Sequence, residues 1–119
     1  MQKTEIVLMP VLKIRISHGK VTAMGPGKAD LLRAIESTGS ISGAAKAMKM
    51  SYRRAWQLVD AMNGCYRLPL VETAMGGTNG GGAKVTEFGF HILKCYEDLV
   101  RKSELAAAAE LQQLMDFAT

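Results

Sequence analysis

A chain of 119 residues and 12.9 kDa fits one domain with an added helix or arm, and its length argues against a two-domain enzyme. With 48% hydrophobic and 22% charged residues it can bury a core and is not disordered by composition, although at 6% aromatic that core must draw on Leu, Ile, Val, Ala and the eight Met. The net charge is +4 and the pI about 9.2, unevenly spread: Met1 to Lys84 holds 12 Lys and Arg against 5 Asp and Glu, and Val85 to Thr119 holds 3 against 6. No acid lies between Glu36 and Asp60, a stretch that contains Lys46, Lys49, Arg53 and Arg54. A basic body of this kind favours a polyanionic partner, most simply nucleic acid, with a solvated basic face as the competing reading.

Cys65 and Cys95 are too few for a disulfide framework, so a reduced cytoplasmic protein is the expectation. The early apolar run from Ile6 to Leu12 contains Pro10, is too short for a signal-peptide core and far too short to span a bilayer, so no membrane role is expected.

In chain order, Leu12, Ile14 and Ile16 alternate with Lys13, Arg15 and Ser17, the period of a strand with one wet face. A turn at Ser17 to Lys20 and a return strand from Val21 to Met24 complete a short hairpin. Gly25-Pro26-Gly27 breaks the chain, and a first helix runs from about Lys28 to Thr38 with Gly39 as its left-handed stop. Ser40-Ile41-Ser42 offers two capping hydroxyls ahead of a short helix of small residues, Gly43 to Met48. After a tight connection at Lys49-Met50, Ser51 caps a third helix in which Ala55, Leu58, Val59 and Met62 form the buried stripe. Arg53 and Gln57 point the opposite way, flanked by Arg54 and Tyr52.

Leu70 to Met75 suits a strand, and Ala83 to Val85 its partner, joined by a loop in which Gly76 to Gly82 includes five glycines. Thr86 caps a helix that opens with Glu87 and runs without proline to about Met115, roughly 43 Å at 1.5 Å per residue. Phe88, Ile92, Cys95 and Leu99 make one stripe, read as the cover for the domain's own core. Leu93, Val100, Ala107 and Leu114 make a second, and with Tyr96 and Leu111 they are read as a homodimer seam.

This order is that of a winged helix-turn-helix domain, mainly α with two small β-hairpins and a long C-terminal dimerisation helix. The body covers residues 1–86 and the dimerisation helix 87–119. From Gly39 through Trp56 to Asn63, and again from Leu70 to Thr86, the sequence resembles the N-terminal DNA-binding domain of the molybdate-responsive (ModE-type) transcription regulators; Gly25-Pro26-Gly27 adds to the likeness, which runs from about Leu12 to Leu99. A looser similarity extends to the LysR-type helix-turn-helix, which also dimerises through a long final helix. The resemblance implies that Ser51 to Asn63 is the recognition helix and residues 76–82 the wing, and that the partner is double-stranded DNA bound by a homodimer. Full-length ModE-type members carry C-terminal oxyanion-binding domains; this sequence ends at Thr119, so no such domain, no oxyanion site and no cofactor is assigned to it. It departs from related turns at Lys49, where they hold glycine; a positive φ there would cost on the order of 1 kcal/mol.

The residues read as DNA contacts are Ser42, Lys46, Lys49, Ser51, Tyr52, Arg53, Arg54, Gln57, Thr78, Asn79 and Lys84. Arg53, Arg54 and Gln57 carry guanidinium and amide groups that reach base edges or phosphates. Lys46, Lys49 and Lys84 supply phosphate affinity by counterion release. Ser42 and Ser51 are first of all caps, and Tyr52 either stacks on the nucleic acid or packs beneath the wing. Thr78 and Asn79 are the wing-tip hydrogen-bonding side chains and equally turn residues. Trp56 is read as a buttress. An enzyme is not expected. Ala83 stands where a phosphate loop needs lysine, Asp30 breaks the dinucleotide glycine pattern, and His18 and His91 lie 73 residues apart, so no metal site is expected. The alternative reading is a winged-helix module that docks a protein partner without specific DNA binding.

Overall fold

The computed structural model describes residues 11–74 and 81–119. Two antiparallel hairpins and five helices occur in the order β1 (Ile16–His18), β2 (Val21–Met24), α1 (Pro26–Thr38), α2 (Ile41–Ala47), α3 (Tyr52–Cys65), β3 (Val71–Thr73), β4 (Ala83–Val85), α4 (Glu87–Ala106) and α5 (Ala108–Asp116). The fold is a winged helix-turn-helix, mainly α, as the sequence implies.

The first hairpin pairs Ser17 with Thr22 and His18 with Val21, and Gly19 takes φ 64° at the first position of its two-residue loop, a conformation that suits glycine. Pairing stops at Ile16, so β1 is shorter than the Leu12 to Ile16 strand expected. The cause lies in β2, which ends at Met24 before Pro26 turns the chain into α1 and leaves Leu12 to Arg15 without a partner. Their alternation persists all the same: Leu12, Ile14 and Ile16 are half-buried, Lys13 and Arg15 exposed.

Ala29, Leu31, Leu32 and Ile35 of α1 join Ile41, Ala44 and Ala45 of α2 and Ala55, Val59 and Met62 of α3 in one core with Met24, Leu70 and Val85. The small residues of α2 let it lie between its neighbours. A Cβ on Gly43 would stand 2.9 Å from both Ser40 Oγ and Thr38 Cβ, so glycine is what permits the cap there. That cap is Ser40, whose Oγ accepts from Gly43 N at 2.8 Å. Ser42, one of the two hydroxyls read as a cap, lies inside the helix with its side chain exposed. Gly39 closes α1 at φ 78°, its N–H donating to Ile35 O at 2.8 Å.

The second hairpin pairs Val71 with Val85, Glu72 with Lys84 and Thr73 with Ala83. Three brackets fix it. Asn63 Oδ1 accepts from Leu70 N at 2.8 Å and Val71 N at 3.2 Å while Nδ2 donates to Val71 O at 3.1 Å, tying β3 to α3. Ala83 N donates to Gly39 O at 2.9 Å, tying β4 to the α1–α2 corner. Thr86 Oγ1 caps α4 by accepting from Gly89 N at 2.9 Å and donates to Pro69 O at 2.8 Å.

The last helix differs from expectation in two ways. It divides at Ala107, where φ is −98° and ψ 10°, between α4 and α5. None of α5 is buried, so no packing across the Ala106 to Ala109 run enforces a single axis. Of the stripe Phe88, Ile92, Cys95 and Leu99, the first two pack half-buried against the core, but the most deeply buried line of the helix is another. Gly89, Leu93 and Tyr96 are buried, with Val100 half-buried behind them, and Cys95 and Leu99 are exposed. Gly89 decides this, because a Cβ there would run into the Leu70 carbonyl and Val85. The backbone of α4 therefore lies on β3 and β4, and positions four, seven and eleven residues after Gly89 turn inward. Leu93 and Tyr96, read as dimer-seam residues, belong to the chain's own core, with Tyr96 OH donating to Ile14 O at 2.6 Å. Burial holds the Tyr96 and Tyr66 phenols above their ordinary pKa.

Candidate nucleic-acid interface

The presentation of α3 begins at the turn before it. Met48 N donates to Ala44 O and Met50 N to Ala45 O, both at 3.0 Å, which closes α2 as a left-handed C-terminal motif with Lys49 in the αL position at φ 56°. The positive φ considered at this residue is present. Ser51 then caps α3, its Oγ accepting from Arg54 N at 3.0 Å, so the helix starts at a fixed point and phase.

That phase divides α3 into two sides. Ala55, Val59 and Met62 are buried and Leu58 and Trp56 half-buried; Tyr52, Arg53, Arg54 and Gln57 are exposed. Trp56 packs against the core and meets the Tyr52 ring edge-on, centroids 6.2 Å apart, in keeping with a buttress. Tyr52 itself is 55% exposed, which leaves its ring face available. Ser42, Lys46, Lys49 and Ser51 are exposed as well, and so is Lys84 on β4. The structure thus places nine of the eleven residues read as contacts at the surface, from α2 through the turn to α3 and the base of the wing. Thr78 and Asn79 lie outside the described residues, as does most of the glycine loop.

Charge pairing separates this side from the rest. The ion pairs among the described residues join Arg33 to Asp30 and Glu97, Lys94 to Asp98, and Arg101 to Asp98. All of them lie on α1 and α4. Lys46, Lys49, Arg53, Arg54 and Lys84 take part in none. Exposed guanidinium and ammonium groups held in no ion pair are free to meet a phosphate backbone, although Lys84 stands across the hairpin from Glu72, and the amide of Gln57 adds a group that can donate and accept at a base edge. An α-helix with its side chains is about 10 to 12 Å across, the size that a major groove roughly 12 Å wide admits.

Of the seam residues that remain, Val100, Ala107 and Leu111 are half-buried and Leu114 is 65% exposed. Leu105 and Phe117, which the seam did not include, are exposed too. The apolar surface of this end therefore faces away from the domain. No helix among the described residues is long and apolar enough to cross a membrane.

No family model matches the chain. It is 38% identical over 106 residues to the transcriptional regulator ModE of Haemophilus influenzae, covering 89% of this chain and 39% of that protein. It is 42% identical over 78 residues to the molybdenum transport protein ModE of Azotobacter vinelandii, covering 66% and 29%. The molybdenum-pterin-binding protein MopA of Rhodobacter capsulatus is 46% identical over 79 residues, covering 66% and 30%. Among solved structures, the full-length LTTR LysG of Corynebacterium glutamicum with bound effector Arg matches at a TM-score of 0.53 and 26% identity, over 79% of this chain and 30% of that one. The resemblance to ModE-type regulators is thus found in sequence, and the looser one to a LysR-type regulator in fold. The chain spans about two fifths or less of the length of these relatives.

Proposed function

We propose that the chain acts in transcription regulation by binding double-stranded DNA, as a homodimer whose α3 helices enter successive major grooves while the 76–82 wing meets the backbone or minor groove. It is a binding role and not a catalytic one. One observation carries the reading: the end of α2, the turn after it and the exposed side of α3 present Lys46, Lys49, Arg53, Arg54 and Gln57 in no ion pair, and the other side of α3 is locked into the core. The names of the relatives, transcriptional regulators among them, support the same class of activity.

On this reading Arg53 and Gln57 read bases, Lys46, Lys49, Arg54 and Lys84 hold phosphates, and two copies joined by their α4–α5 ends occupy half-sites one or two helical turns apart, about 34 Å per turn. Selection from a random DNA library yields the operator. Arg53→Ala then lowers binding to it by about 1 to 3 kcal/mol and relaxes sequence preference, whereas Lys84→Ala weakens operator and random duplex alike and reduces the salt slope by about one. Equal losses on operator and random duplex from both variants would remove Arg53 as a reader. Early, salt-independent elution from immobilised duplex would replace DNA binding by the protein-docking alternative.

A further inference from the structure

The basic surface does not stop at the helix-turn-helix. Arg15 is exposed on the segment just ahead of β1, and its guanidinium Nη2 donates to Thr22 Oγ1 at 3.0 Å. Its side chain folds over the residue that opens α1: Arg15 Cγ is 3.5 Å from where a Gly25 Cβ would be. Lys28 stands three residues further on, in a first turn that holds no acid, where the helix dipole opposes a cation. Tyr66 OH donates to Ala23 O at 3.2 Å and so pins β2 to the end of α3, holding the hairpin and the start of α1 beside the recognition helix. Lys28 is pushed below its ordinary pKa, first by burial and then by Arg54, with Arg15 adding to the effect and Cys65 opposing it. Among the described residues neither Arg15, Lys28 nor Arg54 is in an ion pair. The fold therefore concentrates three cations with nothing to neutralise them, an arrangement that a polyanion relieves.

We infer that Arg15 and Lys28 form a second phosphate-binding surface, which follows the DNA backbone on the flank of α3 nearest the first hairpin. It rests on the DNA-binding reading and extends it to an element outside the helix-turn-helix and its wing. The surface is sequence-neutral: both groups are point or fork donors at the edge of the helix, set to grip the strand while α3 reads the groove.

The test is salt titration of the full chain on a random-sequence duplex. Lys28→Met keeps the aliphatic stem and Arg15→Gln keeps a donor for Thr22. Each should lower the slope of log affinity against log salt by about 0.9, and so lose roughly 3.5-fold less affinity than wild type between about 50 and 200 mM salt. Lys102→Met, on the exposed surface of α4, should leave the slope unaltered. Wild-type slopes in both patch variants, with Arg53→Ala still weakening operator binding, overturn this inference and leave the DNA-binding reading standing. Weaker binding of Lys28→Met matched by a lower melting temperature, with Arg15→Gln at the wild-type slope, overturns it too. Absence of any salt-dependent binding by the wild type removes both.

Discussion

Replacing Lys49 by glycine separates what this residue does for the fold from what it does for the ligand. At φ 56° an L-residue bears about 1 to 2 kcal/mol of left-handed strain, which glycine does not. Glycine in turn loses more conformational freedom on folding, about 0.5 to 1 kcal/mol. The hydrogen bonds that close the turn, Lys49 N to Lys46 O at 3.2 Å and Met50 N to Ala45 O at 3.0 Å, are all main-chain and survive the change. The net expectation is a gain of about 0.5 to 1 kcal/mol, which for a domain of this size raises the melting temperature by about 2 to 8 °C. Binding moves the other way. If the ammonium contacts phosphate, its loss lowers the salt slope by about one and weakens all duplexes alike. Lys49→Asn tolerates the left-handed backbone and removes the same charge, so it should share the binding loss. Thermal melts and salt titrations on the three proteins give the result. A Lys49→Gly protein no more stable than wild type would refute the strain argument, and an unchanged salt slope in both variants would refute the phosphate contact.

Two further predictions concern the last helices. Gly89→Ala forces a methyl into the Leu70 carbonyl and Val85, so α4 must lift from β3 and β4; an expected loss of about 2 kcal/mol or more in urea unfolding checks this, overpacking costing typically about 1 to 3 kcal/mol. Leu114→Glu puts a charge on an exposed apolar position of α5 and should shift sedimentation from dimer towards monomer with the melting curve of the body intact, whereas an unaltered sedimentation coefficient would place the seam elsewhere.

Local chemistry was readable wherever the information sits within a few residues. Ser51 and Thr86 cap as their positions suggest, Gly39 ends α1 in the left-handed region, and the α3 stripe of Ala55, Val59 and Met62 faces inward as its period requires. The choice between Ser40 and Ser42 as the cap of α2 turns on how closely Thr38 crowds Gly43, a contact the chain makes only once α1 has ended. The phase of α4 is harder still to read. Both of its stripes are apolar, and hydropathy ranks Phe88, Ile92, Cys95 and Leu99 no lower than Leu93 and Val100; the deciding signal is a glycine that lets the helix approach the Leu70 carbonyl, just ahead of β3 and almost twenty residues earlier. In the sequence Asn63 marks the end of a helix and no more, yet its side chain makes three hydrogen bonds to Leu70 and Val71 at the start of β3. A single Asn gives no periodic signal, so only the fold reveals the bracket. These misses are alike in that each depends on a partner distant in sequence.

The costs borne by this fold are concentrated on one side. Lys49 sits in a strained backbone conformation, Lys28 is crowded by Arg54 and Arg15, and the cations from Lys46 to Arg54 lack acids. On α1 and α4, by contrast, Arg33 bridges Asp30 and Glu97, the Glu97 oxygen lying 2.6 Å from Nη2, and Lys94 and Arg101 share Asp98. Exposed pairs of that kind contribute only about 0 to 1 kcal/mol each, so they do not offset the strain. The caps, the Asn63 bracket and the Gly89 contact hold α3 in place despite it. Fixed elements around an uncompensated charge cluster are what binding a polyanion requires: the repulsion is already present in the free chain, so a phosphate backbone relieves it on arrival without first ordering the groups that meet it. Selection for stability alone would have put glycine at position 49 and an acid in the first turn of α1. The sequence has lysine in both places.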